Sequence, residues 1–273
     1  KRNRLLRLLH VMFVDSHAHI DSEAFDDDRD LVVKRARDAG VEYLLNVGTG
    51  DPHDGSIERG VLVAERYENV LAAVGVHPHD AKLFDDSAEA ILRDLIENRE
   101  RVVALGEIGL DYHYDHPPRE VQCEVFRRQL RLARTLGVPA IIHSRSADDE
   151  TVRILREEWD GSSVPGIMHC FSGSQEMANA ALELGFLISF SGNVTFKNAS
   201  SLRAVALTVP ADRLLAETDC PYLTPVPYRG KRNEPARVAD VVRTLAEVRG
   251  GAIESLGQLT SENFMRVFGL ESS

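Results

Sequence analysis

The chain lacks any run of about 18 or more apolar residues, so the sequence predicts no membrane-spanning helix. It has only three cysteines, Cys123, Cys170 and Cys220, an odd number without clustered spacing. This argues against a disulfide framework and indicates a reducing compartment, the cytoplasm. Low-complexity linkers and internal repeats are absent as well. The 273 residues are close to the roughly 250 of one α/β barrel, so we expect a single large domain.

Positive charge is also in deficit. The chain has 32 Lys and Arg residues against 43 Asp and Glu residues, a formal net charge of −11. A protein that wraps duplex DNA without sequence preference is expected to be basic. Any nucleic-acid substrate would therefore be held locally, by metal ions and a few cationic loops. Residues 1–11 are basic and precede Met12; we interpret them as an extension outside the fold, with 12–273 as the single domain.

Strand-like and helix-like patterns alternate along the chain. Apolar runs typical of buried parallel strands begin near residues 13, 43, 71, 102, 139, 166, 187 and 214. Amphipathic stretches between them predict helices, for example at 29–39, 119–136 and 174–184, and two closing helices at 236–249 and 255–268. Eight such βα units predict a (β/α)8 TIM barrel, an α/β fold with its active site at the C-terminal mouth of the strands.

Five of the apolar runs end in side chains of the kind that bind metals: His17 and His19, Glu107, His143, His169 and Asp219. One histidine at a strand end is commonly a core residue, but five such ends in one periodic chain favour an active site. Because residues i and i+2 of a strand face the same side, His17 and His19 can share one metal. Asp15, two residues earlier, is predicted to be their buried partner.

The two carboxylates are predicted to be catalytic. Glu107 can bridge two metals, one at each oxygen, with His143 and His169 completing the second site. Asp219 can bind the first metal and accept a proton from the attacking water. Two divalent ions about 4 Å apart would stabilise both the attacking and the leaving oxygen of a displacement. Mixed histidine and carboxylate ligands suit Zn, Mn or Mg, and the sequence leaves the choice open.

Further side chains are predicted to contact substrate: His77, His79, Arg145, Lys231 and Arg232. The two histidines of GVHPHD are expected to end the third strand and to donate to a phosphate oxygen, although a structural role for His79 is equally open. Arg145 shares a strand face with His143 and can stabilise anionic charge. The loop 229–233 is the densest basic patch after residue 11, and it follows the eighth strand.

These motifs together resemble those of the TatD-like metal-dependent deoxyribonucleases, a branch of the amidohydrolase superfamily. The matching segments are DSHAHID (15–21), GVHPHD (75–80), GEIGLDY (106–112), IIHSR (141–145), HCFSG (169–173), ETDCPYLTP (217–225) and GKRNEP (230–235). The resemblance implies a cytoplasmic 3′-to-5′ exonuclease that hydrolyses phosphodiester bonds of DNA, and in some members RNA. It also implies metal-binding roles for the six ligands above. Some members lack the first histidine pair; its presence here favours a complete two-metal site.

Two other function classes remain open. A hydrolase of the same superfamily could act on a small cyclic amide, a lactone or a phosphoester. Many such enzymes carry a carbamylated lysine on strand four, so Glu107 disfavours this reading. A noncatalytic scaffold or nucleic-acid-binding protein would be expected to have lost a ligand, and none of the six is missing. The resemblance implies DNA as the substrate, and the sequence predicts no membrane association and no obligate protein partner.

Overall fold

The computed structural model describes residues 12–270, so the predicted extension at 1–11 lies outside the described residues. Eight parallel strands form one sheet in chain order: β1 (Phe13–Ala18), β2 (Val41–Gly48), β3 (Val70–Val74), β4 (Val102–Asp111), β5 (Ala140–Arg145), β6 (Gly166–Met168), β7 (Leu187–Phe190) and β8 (Leu214–Ala216). Each begins within two residues of its predicted start. The fold is the predicted (β/α)8 barrel.

Helices alternate with these strands: α1 (Arg29–Asp38), α2 (Ser56–Glu65), α3 (Asp86–Asn98), α4 (Arg119–Leu136), α5 (Asp148–Glu158), α6 (Gln175–Glu183), α7 (Ser200–Thr208), α8 (Val238–Arg249) and α9 (Ile253–Phe268). Helix α4 has the predicted bounds and ends at Gly137, whose positive φ of 69° favours glycine. Over residues 12–270, no helix combines the length and the apolarity needed to cross a membrane.

The first and last strands meet through the segment that follows β8. The backbone N–H and the hydroxyl of Thr218 donate to the Asp15 carboxylate at 2.8 and 2.5 Å. The N–H of Asp219 donates to the carbonyl of His17 at 2.9 Å. Asp15 is buried as predicted, but it bonds to neither imidazole of the histidine pair: its carboxylate fastens β1 to β8 and also accepts the backbone N–H of His17.

The apolar side chains form two layers, because alternate residues of a strand point to opposite faces. The inner layer fills the barrel with Val14, Leu45, Val47, Leu71, Ala73, Ala104, Ile141, Ile167, Leu187 and Leu215. The outer layer packs the strands against the helices. Phe264 and Val267 of α9 belong to the inner layer, and Asn263 donates to the carbonyl of Leu214 at 2.9 Å. Helix α9 thus covers the N-terminal end of the barrel and leaves the opposite mouth for the site.

Three predicted strand ends differ from the structure by three residues or more. Strand β4 continues past Glu107 because it pairs with β5 as far as Asp111 opposite Arg145. At Gly109 a β-carbon would lie 1.9 Å from the carbonyl oxygen of His143, so only glycine permits this pairing. The histidines of GVHPHD lie beyond β3, at and within a 3₁₀ turn at Pro78–Leu83. Asp219 lies three residues beyond β8 with φ of 55°, so strand alternation does not set its direction.

Candidate metal centre

The mouth of the barrel brings five imidazoles around one carboxylate, that of Glu107, which is 4% exposed. Its Oε2 lies 3.6 Å from Nε2 of His17 and 3.9 Å from Nε2 of His19. Its Oε1 lies 2.7 Å from Nδ1 of His143 and 2.6 Å from Nε2 of His169. Each oxygen therefore faces a different pair of imidazoles, which is the arrangement expected of a carboxylate shared by two donor sets.

The first donor set consists of His17, His19 and Asp219. The two Nε2 atoms are 3.2 Å apart, and Oδ1 of Asp219 lies 3.9 Å from the first and 3.6 Å from the second. Nδ1 of His19 donates to the carbonyl of Val47 at 3.0 Å. This bond assigns the tautomer of the neutral ring, because a carbonyl can only accept, so Nε2 carries the lone pair once the ring has lost its second proton.

The second donor set consists of His143 and His169, which face the other oxygen of the Glu107 carboxylate. Nδ1 of His169 lies 3.2 Å from Oε1 of Glu217, which also accepts the backbone N–H of Cys170 at 2.6 Å. Glu217 is fully buried and orients the imidazole. His77, predicted as a substrate contact, places Nε2 3.6 Å from Oε1 of Glu107 and so lies among the donors.

Charge in this centre is strongly coupled. Burial opposes ionisation of Glu107, but His169 and His77 hold its pKa well below the usual range. Burial likewise opposes protonation of His169, but Glu107 and Glu217 raise its pKa well above the usual range. Burial and the neighbouring His169 lower the pKa of His17. Buried carboxylates are thus held ionised beside imidazoles, where a cation would be stabilised.

The donor chemistry fits divalent metal ions. Neutral imidazole and ionised carboxylate are their usual ligands in mixed sites. Among residues 12–270, Nδ1 of His17 is buried without a hydrogen-bond partner. Three groups have donor atoms that all lie within 4.8 Å of one another: His17, His19 and Glu107; His77, Glu107 and His143; and His17, His169 and Glu217.

Asp111 is a site residue that the sequence reasoning missed. Its Oδ2 accepts from Nε2 of His79 at 2.9 Å and lies 3.3 Å from Nε2 of His143. Its Oδ1 accepts the backbone N–H of Tyr114 at 3.0 Å. Burial opposes its ionisation, but these bonds hold the pKa of Asp111 well below its usual range. Its spacing of four from Glu107 in one strand was a usable signal, because even spacings share a face.

Two buried glutamines of α4 were also missed. Gln122 accepts the N–H of Asp111 at 2.9 Å and donates to its carbonyl at 3.2 Å. Gln129 accepts the N–H of Val76 at 2.8 Å and donates to its carbonyl at 3.0 Å, directly before His77. The glutamines are seven residues apart on the apolar face of a helix. A polar side chain repeated there indicates a buried hydrogen-bonding role.

The predicted cationic contacts have different surroundings. Arg145 is half-buried, with its guanidinium carbon 4.8 Å from the ring centre of Tyr114. Lys231 is exposed. Both terminal nitrogens of Arg232 lie 2.8 Å from the carboxylate of Asp28, so its charge is neutralised within the protein.

The comparisons with known proteins agree with this geometry. The sequence pattern of the family described as TatD related DNase matches residues 14–269. The chain belongs to this TatD family. The metal-dependent hydrolase YabD of Bacillus subtilis is 44% identical over 257 residues, which cover 94% of this chain and 99% of the relative. The 3′-5′ ssDNA/RNA exonuclease TatD of Pectobacterium parmentieri is 37% identical over 263 residues, which cover 94% and 99%.

A solved structure gives the same assignment. The crystal structure of YJJV, a TatD homolog of Escherichia coli K12, superposes with a TM-score of 0.89 at 31% identity, covering 96% of this chain and 100% of the other. The resemblance to the TatD family that the sequence motifs indicate is confirmed. The chain is a metal-dependent hydrolase of the TatD family with an amidohydrolase-like barrel.

Proposed function

We propose that this chain hydrolyses phosphodiester bonds of DNA, removing nucleotides from 3′ ends with the help of two divalent ions. The observation that carries the proposal is the position of Glu107, whose two oxygens face two separate donor sets 2.6 to 3.9 Å away. Paired divalent sites of this kind suit displacement at phosphorus. The name of the Pectobacterium relative supports the substrate class and the direction.

We assign His17, His19 and Asp219 to one ion, His143 and His169 to the other, and Glu107 to both. Ions held there, whether Mg, Mn or Zn, would supply Lewis acidity to the phosphoryl oxygens and lower the pKa of water. Asp219 accepts the proton of the attacking water. Burial opposes ionisation of Asp219, but the neighbouring imidazoles of His19 and His169 lower its pKa. It is therefore an ionised base at neutral pH.

Outside the two donor sets, the proposed phosphate contacts are Arg145, Lys231 and His77. Arg232 is left out because Asp28 already pairs with it. His79 is assigned a positioning role, because its Nε2 is engaged by Asp111. All three cysteines are free, which agrees with the cytoplasm as the proposed compartment. DNA is the proposed partner, and no obligate protein partner is assigned.

A labelled oligonucleotide tests the proposal. Purified protein is incubated with a single strand labelled at its 5′ end, with Mg2+, Mn2+ or Zn2+ or with a chelator. Stepwise shortening from the 3′ end, abolished by the chelator, is expected. A strand whose last linkages are phosphorothioates should persist, and Glu107→Gln prepared in the same way controls for contaminating nuclease. Hydrolysis of lactones or cyclic amides, with every oligonucleotide left intact, would favour the alternative reading.

A further inference from the structure

Two exposed tyrosines flank the metal centre. Tyr222 is 61% exposed and Tyr114 is 51% exposed. The ring of Tyr222 lies 6.2 Å from that of His19, at 70°, beside the first donor set. The ring of Tyr114 lies 5.4 Å from that of His79, at 90°. His79 is joined through Asp111 to His143, so this second tyrosine adjoins the second donor set.

The backbone of each tyrosine is tied to the centre. The N–H of Tyr222 donates to the carbonyl of Asp219 at 2.9 Å, and its own carbonyl accepts from Asn233 at 2.7 Å. The N–H of Tyr114 donates to Oδ1 of Asp111, whose other oxygen faces His143. The backbone of both tyrosines is therefore held in position before any substrate binds, while more than half of each side chain remains open to solvent. Packing within residues 12–270 does not explain this exposure.

A cation lies beside Tyr114, and the backbone of a second cationic residue, Lys231, is tied to the segment that carries Tyr222. Arg145 lies over the ring of Tyr114, and the exposed ring of His116 is almost parallel to it, at 7°. On the other side, the hydroxyl of Thr224 donates to the carbonyl of Lys231 at 2.6 Å, which folds Lys231 back toward the segment carrying Tyr222. An aromatic ring next to a cation suits an unpaired nucleotide, which presents a flat base beside a phosphate.

We propose that the two bases flanking the scissile phosphodiester bond stack on these tyrosines, one on Tyr222 and the other on Tyr114. This inference rests on the proposed nuclease function and specifies how the substrate is held. The phosphate between the bases then lies over Glu107 and its donor sets. Bases paired in a duplex are already stacked on their neighbours, so a duplex end must open before it can engage both rings.

Single-turnover and steady-state assays on abasic oligonucleotides test the stacking. One single strand carries an abasic residue at its 3′-terminal position, a second carries it at the penultimate position, and a third carries all its bases. Tyr222→Ala and Tyr114→Ala should each raise KM on the intact strand by about 5- to 150-fold, the range for loss of one base–aromatic stack. The value of kcat should change much less, and the phenylalanine variants should restore KM.

The decisive comparison is the KM of each alanine variant on each of the two abasic strands. On one of the two abasic strands, each alanine variant should have the same KM as wild-type protein, because the base that its tyrosine would stack on is already missing. This strand should be a different one for Tyr222→Ala than for Tyr114→Ala. Tyr67→Ala is the matched control, because Tyr67 lies between α2 and β3 at the opposite end of the barrel and bonds to Asp30. Melting temperatures and metal contents should be unchanged in the mouth variants.

Three results would overturn the inference. If wild-type protein cleaves the intact strand but the alanine variants keep its KM, the bases do not stack there. If an alanine variant and an abasic residue raise KM by independent factors at both the 3′-terminal and the penultimate position, the tyrosines act through something other than a base. If wild-type protein shortens no oligonucleotide, the proposed function fails and the stacking inference fails with it.

Discussion

At the scale of single residues, the centre depends on the shared carboxylate. Glu107 is the only side chain among residues 12–270 whose two oxygens lie within 3.9 Å of both histidine pairs. Alternation counted from the start of β4, with Ala104 inside and Leu105 outside, would point it away from the barrel. Leu105 and Ile108 both pack in the outer layer, and the pairing with β5 skips Glu107 between Gly106 and Ile108. This bulge turns the carboxylate into the barrel, a common function of bulges near active sites.

The first prediction concerns Glu107→Gln. The amide keeps the volume of the side chain but removes the charge that two cations would share, so metal content should fall and hydrolysis should drop by about 10³-fold or more. Metal analysis after dialysis and kcat measured on an oligonucleotide check this. Glu124→Gln, an exposed change on α4, is the matched control. Full metal content in Glu107→Gln would contradict the shared role.

Asp219→Asn separates proton transfer from metal binding. Loss of a positioned proton acceptor typically lowers the rate by about 10² to 10⁴-fold. Because only one donor set includes Asp219, this variant should retain more metal than Glu107→Gln. A decrease in kcat of less than about tenfold, with metal content intact, would show that another group takes the proton.

At the scale of elements, α4 links the outer layer to the mouth. Its apolar face packs on the barrel through Val125, Phe126 and Leu130. On the same face, Gln122 and Gln129 bond to the backbone at Asp111 and Val76. A helix usually considered part of the scaffold therefore also holds two segments that carry site residues.

Gln129→Leu should affect both stability and activity. Leucine leaves the N–H and the carbonyl of Val76 buried without partners, at about 1–3 kcal/mol for each unsatisfied group. The melting temperature should fall by roughly 2–4 °C per kcal/mol lost, and His77 should lose its fixed position. Gln258→Leu, on the exposed face of α9, is the control. An unchanged melting temperature would mean that water or a local shift replaces the glutamine.

The loop after β8 supplies the fourth prediction. Lys231 is exposed and its loop is anchored by Asn233, which donates to the carbonyl of Thr218 at 2.9 Å. Lys231→Ala should raise KM, leave metal content intact and reduce the slope of log affinity against log salt by about 0.7. Lys34→Ala on α1 removes the same charge far from the mouth and should change neither quantity. Equal effects of the two variants would point to net charge instead of a local contact.

At the scale of the whole molecule, the proposed function requires an acidic protein to bind a polyanion. The net charge of −11 repels nucleic acid at long range, so affinity has to arise at the mouth. The bound cations would themselves offset the carboxylates there. Metal occupancy, protonation and substrate affinity are therefore coupled in this molecule.

The coupling predicts how metal binding depends on pH. Burial opposes protonation of His19, but Asp219 and Glu107 raise its pKa to about 9, and the pKa of His169 is also raised. Both imidazoles are thus protonated at pH 7 without metal, and a cation must displace those protons. Metal affinity should rise between pH 7 and 9. Calorimetry in buffers of different ionisation enthalpy should detect proton release at pH 7, and its absence would contradict the assignment.

Much of the centre could be predicted because its ligands follow short apolar runs. The pattern of β5, for example, is local: Ile141 packs inside, Ile142 outside, and His143 comes next on the inner side. Asp111 and Gln129 were not predicted, because their partners lie 32 and 53 residues away in the chain. Arg232 was predicted to contact substrate, and the sequence did not reveal that a carboxylate 204 residues away pairs with it.

The sequence by itself determined the order of strands and helices and the kind of polar side chain near the end of five of the strands. Those properties follow from the periodicity of apolar residues and from side-chain chemistry, both of which are local. Only the tertiary structure decided which oxygen of Glu107 faces which histidines, and that Tyr114 and Tyr222 flank the centre. Such placements depend on strand register, on a bulge and on loops fastened by distant hydrogen bonds. They exist only once the barrel has closed and brought both ends of its sheet together.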